Sequence, residues 1–298
     1  MIDRLRKKLK REKEKIKDLF YEKLYGYYSL YSPGKLEGNL VDGRELVVSL
    51  TSYPRRFKKL HIVIESLMRQ ILKPTKIVLW LSKAEVPDLN LVPQDIRKYM
   101  DRGLDIRFVG ENYKSYNKLV YAVSEFGRSI IVTVDDDTIY LDYFLRDLYE
   151  RWLEYPECIV AYSCKVIRLK DKRELMPYRD WPHADISGPS SRLIQLGYAG
   201  VLYPPGSLHD DVTRADLFME LAPTNDDIWF KAMALLKGTK VVMVYDRYHE
   251  FPMIRSMDRM GLYRINVFQN QIDVQAKKVF DYYDLYRYLW EDDVSQYR

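Results

Sequence analysis

The sequence predicts an α/β fold, a mostly parallel central sheet with helices on both faces, preceded by an amphipathic helix. Three observations carry this expectation. From about Gly43 onward, short apolar runs alternate with helical patterns four times, the order that gives parallel strands joined by crossover helices. The 298 residues are 47% hydrophobic and 31% charged, which excludes disordered and fibrous classes. With 26 tyrosines against 13 glycines, the chain favours a large interior of polar-tipped aromatics over low-complexity linkers. Tyrosine-rich surfaces also suit sugars.

The first element is the arm at residues 1–42, a basic helix and linker. Ile2, Leu5, Leu9, Ile16 and Phe20 recur at helical spacing with no Gly or Pro among them. Residues 1–17 hold nine basic residues (Arg4, Arg6, Lys7, Lys8, Lys10, Arg11, Lys13, Lys15, Lys17) against Asp3, Glu12 and Glu14. That is +6 of a chain total of +5, so residues 18–298 carry −1. A near-neutral body excludes a nucleic-acid groove, which spreads Lys and Arg over the folded domain. A basic amphipathic helix at residues 1–20 is a candidate contact for an anionic membrane surface. The alternative is a solvated helix that packs on the body or on a second subunit.

Glu45 to Thr51 reads as a strand, Phe57 to Gln70 as a helix and Lys76 to Leu81 as a strand. A helix near Pro93 to Met100, a strand at Leu104 to Val109, a helix at Tyr116 to Phe126 and a strand at Ser129 to Val134 follow. Further helices are expected at Tyr143 to Trp152 and Ile228 to Lys237, the latter capped by Thr224 or Asn225. Cys158 and Cys164 lack the spacing of zinc or redox pairs and read as reduced strand residues. No apolar run approaches the ~20 residues of a membrane span, so the expected location is the cytoplasm, peripherally at the inner face of its membrane.

In parallel sheets ligands bind beyond the carboxyl ends of the strands. The first strand ends in Thr51-Ser52-Tyr53-Pro54-Arg55-Arg56 and the fourth in Asp135-Asp136-Asp137. Three successive carboxylates repel one another unless a cation or backbone amides neutralise them. Oxygen ligands favour Mg2+ or Mn2+.

Ile130 to Asp137 resembles the strand and Asp-x-Asp motif of nucleotide-sugar glycosyltransferases of the GT-A fold, whose sheet is Rossmann-like. Thr51 to Arg56 and Lys114 to Leu119 resemble the donor-binding half of a bacterial group used in surface polysaccharide assembly, similar to family 2-type inverting enzymes. Gly200 to Gly206 and Asn225 to Phe230 resemble its acceptor half. The resemblance covers residues 44–270 and implies a domain over 43–270, with a nucleotide-sugar half at 43–140, an acceptor half at 141–270 and a helical tail at 271–298.

The resemblance implies roles for particular residues. The loop after Thr51 cradles the nucleotide, with Tyr53 stacking on the base and Arg55 or Arg56 meeting the diphosphate of a UDP-type donor. Lys118 acts on the diphosphate or contacts the base. Asp135 contacts ribose, Asp136 shares the nucleotide site, and Asp137 holds the metal. Asp135 is a second candidate ligand and His249 a third. Gly200, Tyr203, Trp181 and His209 are candidate sugar contacts, with Tyr198 as a further stacking face. Asp227 is the candidate general base and Asp226 orients the acceptor, a hydroxyl of a glycan or lipid-linked glycan. A nucleotidyltransferase is the nearest enzymatic alternative, but it needs a Gly-rich, Lys-containing loop after the first strand that Ser52-Tyr53-Pro54-Arg55 does not supply. A non-catalytic nucleotide- or carbohydrate-binding protein has no use for Asp135 to Asp137. No Walker loop or Gly-x-Gly-x-x-Gly is present.

Overall fold

A computed structural model describes residues 2–31, 34–254 and 270–290. The first half runs α1 (Ile2–Tyr31), β1 (Leu46–Thr51), α2 (Phe57–Met68), β2 (Lys76–Ser82), α3 (Gln94–Arg97), β3 (Leu104–Val109), α4 (Asn117–Phe126), β4 (Ile130–Thr133) and α5 (Phe144–Glu154). The second half runs β5 (Ile159–Ala161), β6 (Cys164–Val166), β7 (Leu169–Asp171), β8 (Glu174–Leu175), β9 (Leu193–Gln195), β10 (Val201–Tyr203), α6 (Ala215–Leu221), α7 (Asp226–Lys237), β11 (Val241–Met243), α8 (Gln271–Tyr283) and α9 (Tyr286–Trp290). The four expected strand-helix alternations are all present, and the helix expected at Pro93 to Met100 is a single turn followed by a 3-10 turn at Met100–Arg102.

Seven strands form the central sheet in the order β11-β5-β10-β4-β1-β2-β3. All pairings are parallel except those of β10, which runs antiparallel between β4 and β5. Successive residues of each strand point to opposite faces, and both faces are covered. Val47, Val78, Trp80 and Ile131 join the core beneath α4 and α7, while Val48, Ile77, Leu79 and Val132 join the core beneath α2 and α5. Cys158 and Cys164 are free and buried as expected, Cys164 in β6 and Cys158 just before β5 rather than in a strand.

The antiparallel strand matters for the site. Val201 lies opposite Thr133, so the turn at Gly197–Ala199 that leads into β10 sits where β4 ends and Asp135 begins. Gly200 takes φ +92°, and a Cβ there would lie 2.3 Å from the Phe144 ring. Gly200, a candidate sugar contact in the sequence, therefore packs against α5. Only glycine satisfies both the backbone angle and that contact.

α1 is longer than the sequence reading, with 30 residues, and its second half docks on the body. Tyr25 is buried, Glu22 pairs with Lys59, and the Arg69 guanidinium lies 4.0 Å from the Tyr28 ring centre. Asp18 accepts a hydrogen bond from the Met253 amide at 3.1 Å. Among the described residues no helix is long and apolar enough to cross a membrane.

Gly200→Ala should lower unfolding stability by about 2–4 kcal/mol, from overpacking against Phe144 and the left-handed backbone angle. Phe144→Leu in the same chain should recover part of the loss. Denaturant unfolding of the single and double variants checks this, and an unchanged midpoint in Gly200→Ala would return the residue to the sugar-facing role.

Candidate active site

The loop after β1 closes over the three aspartates that follow β4. Pro54 opens a 3-10 turn, Pro54–Arg56, which carries Arg56 toward the neighbouring strand end. Its Nη1 lies 2.9 Å from Asp136 Oδ1 and 2.5 Å from Asp137 Oδ2. Ser52, in the same loop, donates to Asp136 Oδ2 at 2.6 Å. The Tyr53 ring flanks Arg56, whose charge centre is 5.7 Å from the ring centre. Arg55 is exposed. Thr51 sits at the end of β1 and donates to the Trp80 carbonyl at 2.9 Å.

A second cation ties the two halves of the chain together. Lys118 lies in the first turn of α4 with a side chain only 5% exposed. Its Nζ is 2.7 Å from Asp135 Oδ1 and 3.2 Å from Asp226 Oδ2. Ser49 anchors this turn by donating to the Lys118 carbonyl while accepting from Trp80 Nε1 at 2.8 Å. Tyr116, just before α4, donates to the carbonyls of Ala222 and Asn225. Asn225 caps α7 by accepting from the Ile228 amide at 3.1 Å, which leaves Asp226 and Asp227 in the first turn.

Asp227 accepts a hydrogen bond from the Gly197 amide at 3.0 Å. A Cβ on Gly197 would lie 2.8 Å from Asp227 Oδ1 and 3.0 Å from Lys118 Nζ, so glycine is what allows the backbone this close. Tyr140 completes the frame. Its hydroxyl accepts from the Asp135 amide and donates to the Tyr198 carbonyl, both at 2.9 Å.

Burial and mutual repulsion dominate the electrostatics. Asp136 is pushed up to about 7 by burial, against the lowering pull of Arg56. Burial raises Asp137 as well, again opposed by Arg56. Asp227 is pushed up to about 8 by burial, with the neighbouring Asp226 charge adding to it. Burial disfavours the Lys118 charge, but Asp135, Asp226 and Asp227 outweigh it and hold the ammonium well above its ordinary range.

Asp135, Asp136, Asp137, Asp226 and Asp227 outnumber the cations paired with them, and that surplus fits a divalent cation. Among the described residues, however, no three His, Cys, Asp or Glu side chains already gather to hold one. His249, the expected third ligand, does not join the aspartates. Its ring packs among Tyr162, Tyr245 and Phe251, and the carboxylate that bears on its charge is Asp147.

The other expected sugar contacts disperse. Trp181 is buried and donates to the Met176 carbonyl at 2.8 Å, so its faces belong to the core. Tyr203 is buried in β10 and packs edge-on to Phe230. His209 caps the turn Asp210–Thr213, accepting from the Asp211 amide at 3.2 Å. Tyr198 bonds to the Tyr248 hydroxyl at 2.8 Å. Sequence reasoning missed Ser52, Gly197, Tyr116 and Tyr140 as parts of the site. Ser52 and Tyr116 stood inside noted segments, whereas the contacts of Gly197 with Asp227 and of Tyr140 with the Tyr198 carbonyl are distant in sequence.

No family model matches the chain, and no curated protein matches it. Among solved structures it is similar to residues 1–349 of TarS from S. aureus, at 15% identity over 83% of this chain and 70% of that one, with a TM-score of 0.49. It is also similar to the mannosyltransferase PcManGT from Pyrobaculum calidifontis, solved with GDP-Man and Mn2+, at 14% identity, 92% and 77% coverage and a TM-score of 0.48. A third is CMP:2-keto-3-deoxy-manno-octonic acid synthetase with CTP, at 8% identity, 76% and 99% coverage and a TM-score of 0.44. A mannosyltransferase and a CTP-bound synthetase thus appear side by side, and these likenesses concern the path of the chain alone.

Proposed function

We propose that the chain is a divalent-metal-dependent glycosyltransferase that moves a sugar from a nucleoside-diphosphate sugar to a hydroxyl of a bacterial surface glycan, free or lipid-linked, with inversion. The observation that carries this reading is Lys118, one buried ammonium between Asp135 at the end of β4 and Asp226 at the start of α7. It brings the strand end expected to hold the donor and the acid pair expected to receive the acceptor to a single point.

In this reading the donor, of the UDP type, lies across the ends of β1 and β4. Tyr53 faces the base, Arg55 and Arg56 meet diphosphate oxygens, and Asp135 reaches the ribose. Asp137 and Asp135 would hold Mn2+ or Mg2+, whose charge offsets that of a departing nucleoside diphosphate. Lys118 keeps Asp226 and Asp135 in place. Asp227 takes the proton of the acceptor hydroxyl at its carboxylate as that oxygen attacks the anomeric carbon opposite the nucleotide. Asp227 is the better base of the pair. Asp226 is already paired with Lys118, while burial lifts Asp227 into the range where a carboxylate accepts protons effectively.

Three outcomes test the reading. Asp227→Asn should preserve donor binding and lower transfer by roughly 10²–10⁴-fold, with the product's anomeric configuration inverted in wild type. Near wild-type transfer, or a retained configuration, refutes the assignment. Because Asp227 must lose its proton to act and sits at about 8, wild-type kcat/KM should climb as pH rises toward that value. A profile that falls over the same range contradicts it.

Asp137→Ala should remove divalent-cation affinity together with activity while leaving the unfolding transition in place, and full activity of wild type in excess chelator would contradict the metal requirement. Lys118→Met should cost about 3–5 kcal/mol of stability because it strands buried carboxylates, and adding Asp226→Asn should recover part of it. Denaturant unfolding measures both, and additive losses would show that the pair is not coupled.

A further inference from the structure

α1 has two opposed faces, one docked on the body and one bare. The inner face, through Asp18, Tyr25 and Ser29, is buried against the body. On the other side Leu9, Ile16, Phe20, Tyr27 and Tyr31 follow one another at steps of seven, four, seven and four residues, so all lie along one line of the helix. Leu19 and Leu30 widen the line, and each of these seven side chains is more than half exposed. Tyr27 and Tyr31 touch, with ring centres 4.8 Å apart. Isolated exposed apolar residues are ordinary, but a continuous stripe along a helix of about 45 Å is not. Lys13 and Lys23, both exposed, flank it.

We infer that this outer face of α1 lies along an anionic lipid bilayer, with the apolar stripe among the acyl boundary and the lysine ammonium groups among the headgroups. Charge decides between a bilayer and a second copy of the chain. In a parallel pair of arms the strongly basic first half of α1 would bring like charge against like charge, and in an antiparallel pair it would meet a half with little negative charge, whereas acidic headgroups complement it in full. Tyrosines at the far end suit the interface, since each has an apolar body and a polar tip. Docking of the inner face fixes the helix to the catalytic body, so the whole domain is held at the surface. This contact goes beyond the transferase reading and does not rest on it.

The full chain should be tested by co-sedimentation with vesicles of phosphatidylcholine alone and of phosphatidylcholine with one-third phosphatidylglycerol. Binding to the anionic vesicles should exceed that to the neutral ones by about tenfold or more and weaken as salt is raised. Ile16→Glu with Phe20→Glu should remove at least about tenfold of that binding, and Tyr27→Gln with Leu30→Gln should weaken it as a second, uncharged disruption. Donor cleavage in vesicle-free buffer should be equal in all three proteins, so failure of the membrane contact is distinguishable from failure of the catalytic reading. Equal sedimentation of wild type and both variants overturns the inference. So does a wild-type dimer in sedimentation velocity that the glutamates convert to monomer without any vesicle binding, because a second copy then covers the face.

Discussion

The buried ammonium of Lys118 is the interaction on which the rest of the site depends. A lysine withdrawn from water is costly unless carboxylates surround it, and here Asp135 and Asp226 supply that partnership with Asp227 close by. To bring these acids within reach, three separate segments must converge: the first turn of α4, the end of β4 and the first turn of α7. The neighbouring details serve that convergence. Ser49 holds the backbone of Lys118, Tyr116 ties α4 to the approach to α7, and Gly197 supplies an amide to Asp227 where any side chain would collide.

Arg56 performs the complementary task at the outer edge. It pairs with Asp136 and Asp137, and Ser52 adds a further donor, yet both carboxyls remain raised because burial outweighs that help. A site built this way stores unfavourable negative charge. A cation entering from solution would relieve it, which is the physical reason the proposed function includes a divalent metal.

The legible and illegible parts of the sequence separate along the range of the interactions involved. β1 to β4 could be read from the apolar runs Leu46 to Thr51 and Ile130 to Thr133, because burial and strand geometry are written locally. The aspartates after β4 and the acids at the start of α7 were legible for the same reason, since strand ends and helix caps are local signals. What Lys118 touches was not, because its partner Asp226 comes from the other half of the chain. Gly200 looked like a sugar contact because its neighbour Phe144 is not visible in the turn itself. Trp181 looked like a stacking face, but the core of the second half closes around it. The resemblance implied a metal ligand at His249, yet the aromatic side chains around it divert it from the aspartates. The helical spacing of the arm identified α1, but not its second half, where Tyr25 and Tyr28 lock it to α2.

The central claim is that the cluster around Lys118 and the aspartates binds and cleaves an activated sugar. The most direct measurement is release of nucleoside diphosphate by the wild-type chain from a panel of UDP-, GDP- and other nucleotide sugars, with Mn2+ or Mg2+ present. The account predicts release from at least one donor, dependent on the added cation. Release from none of them, together with pyrophosphate release from a nucleoside triphosphate, would contradict it and move the site to nucleotidyl transfer.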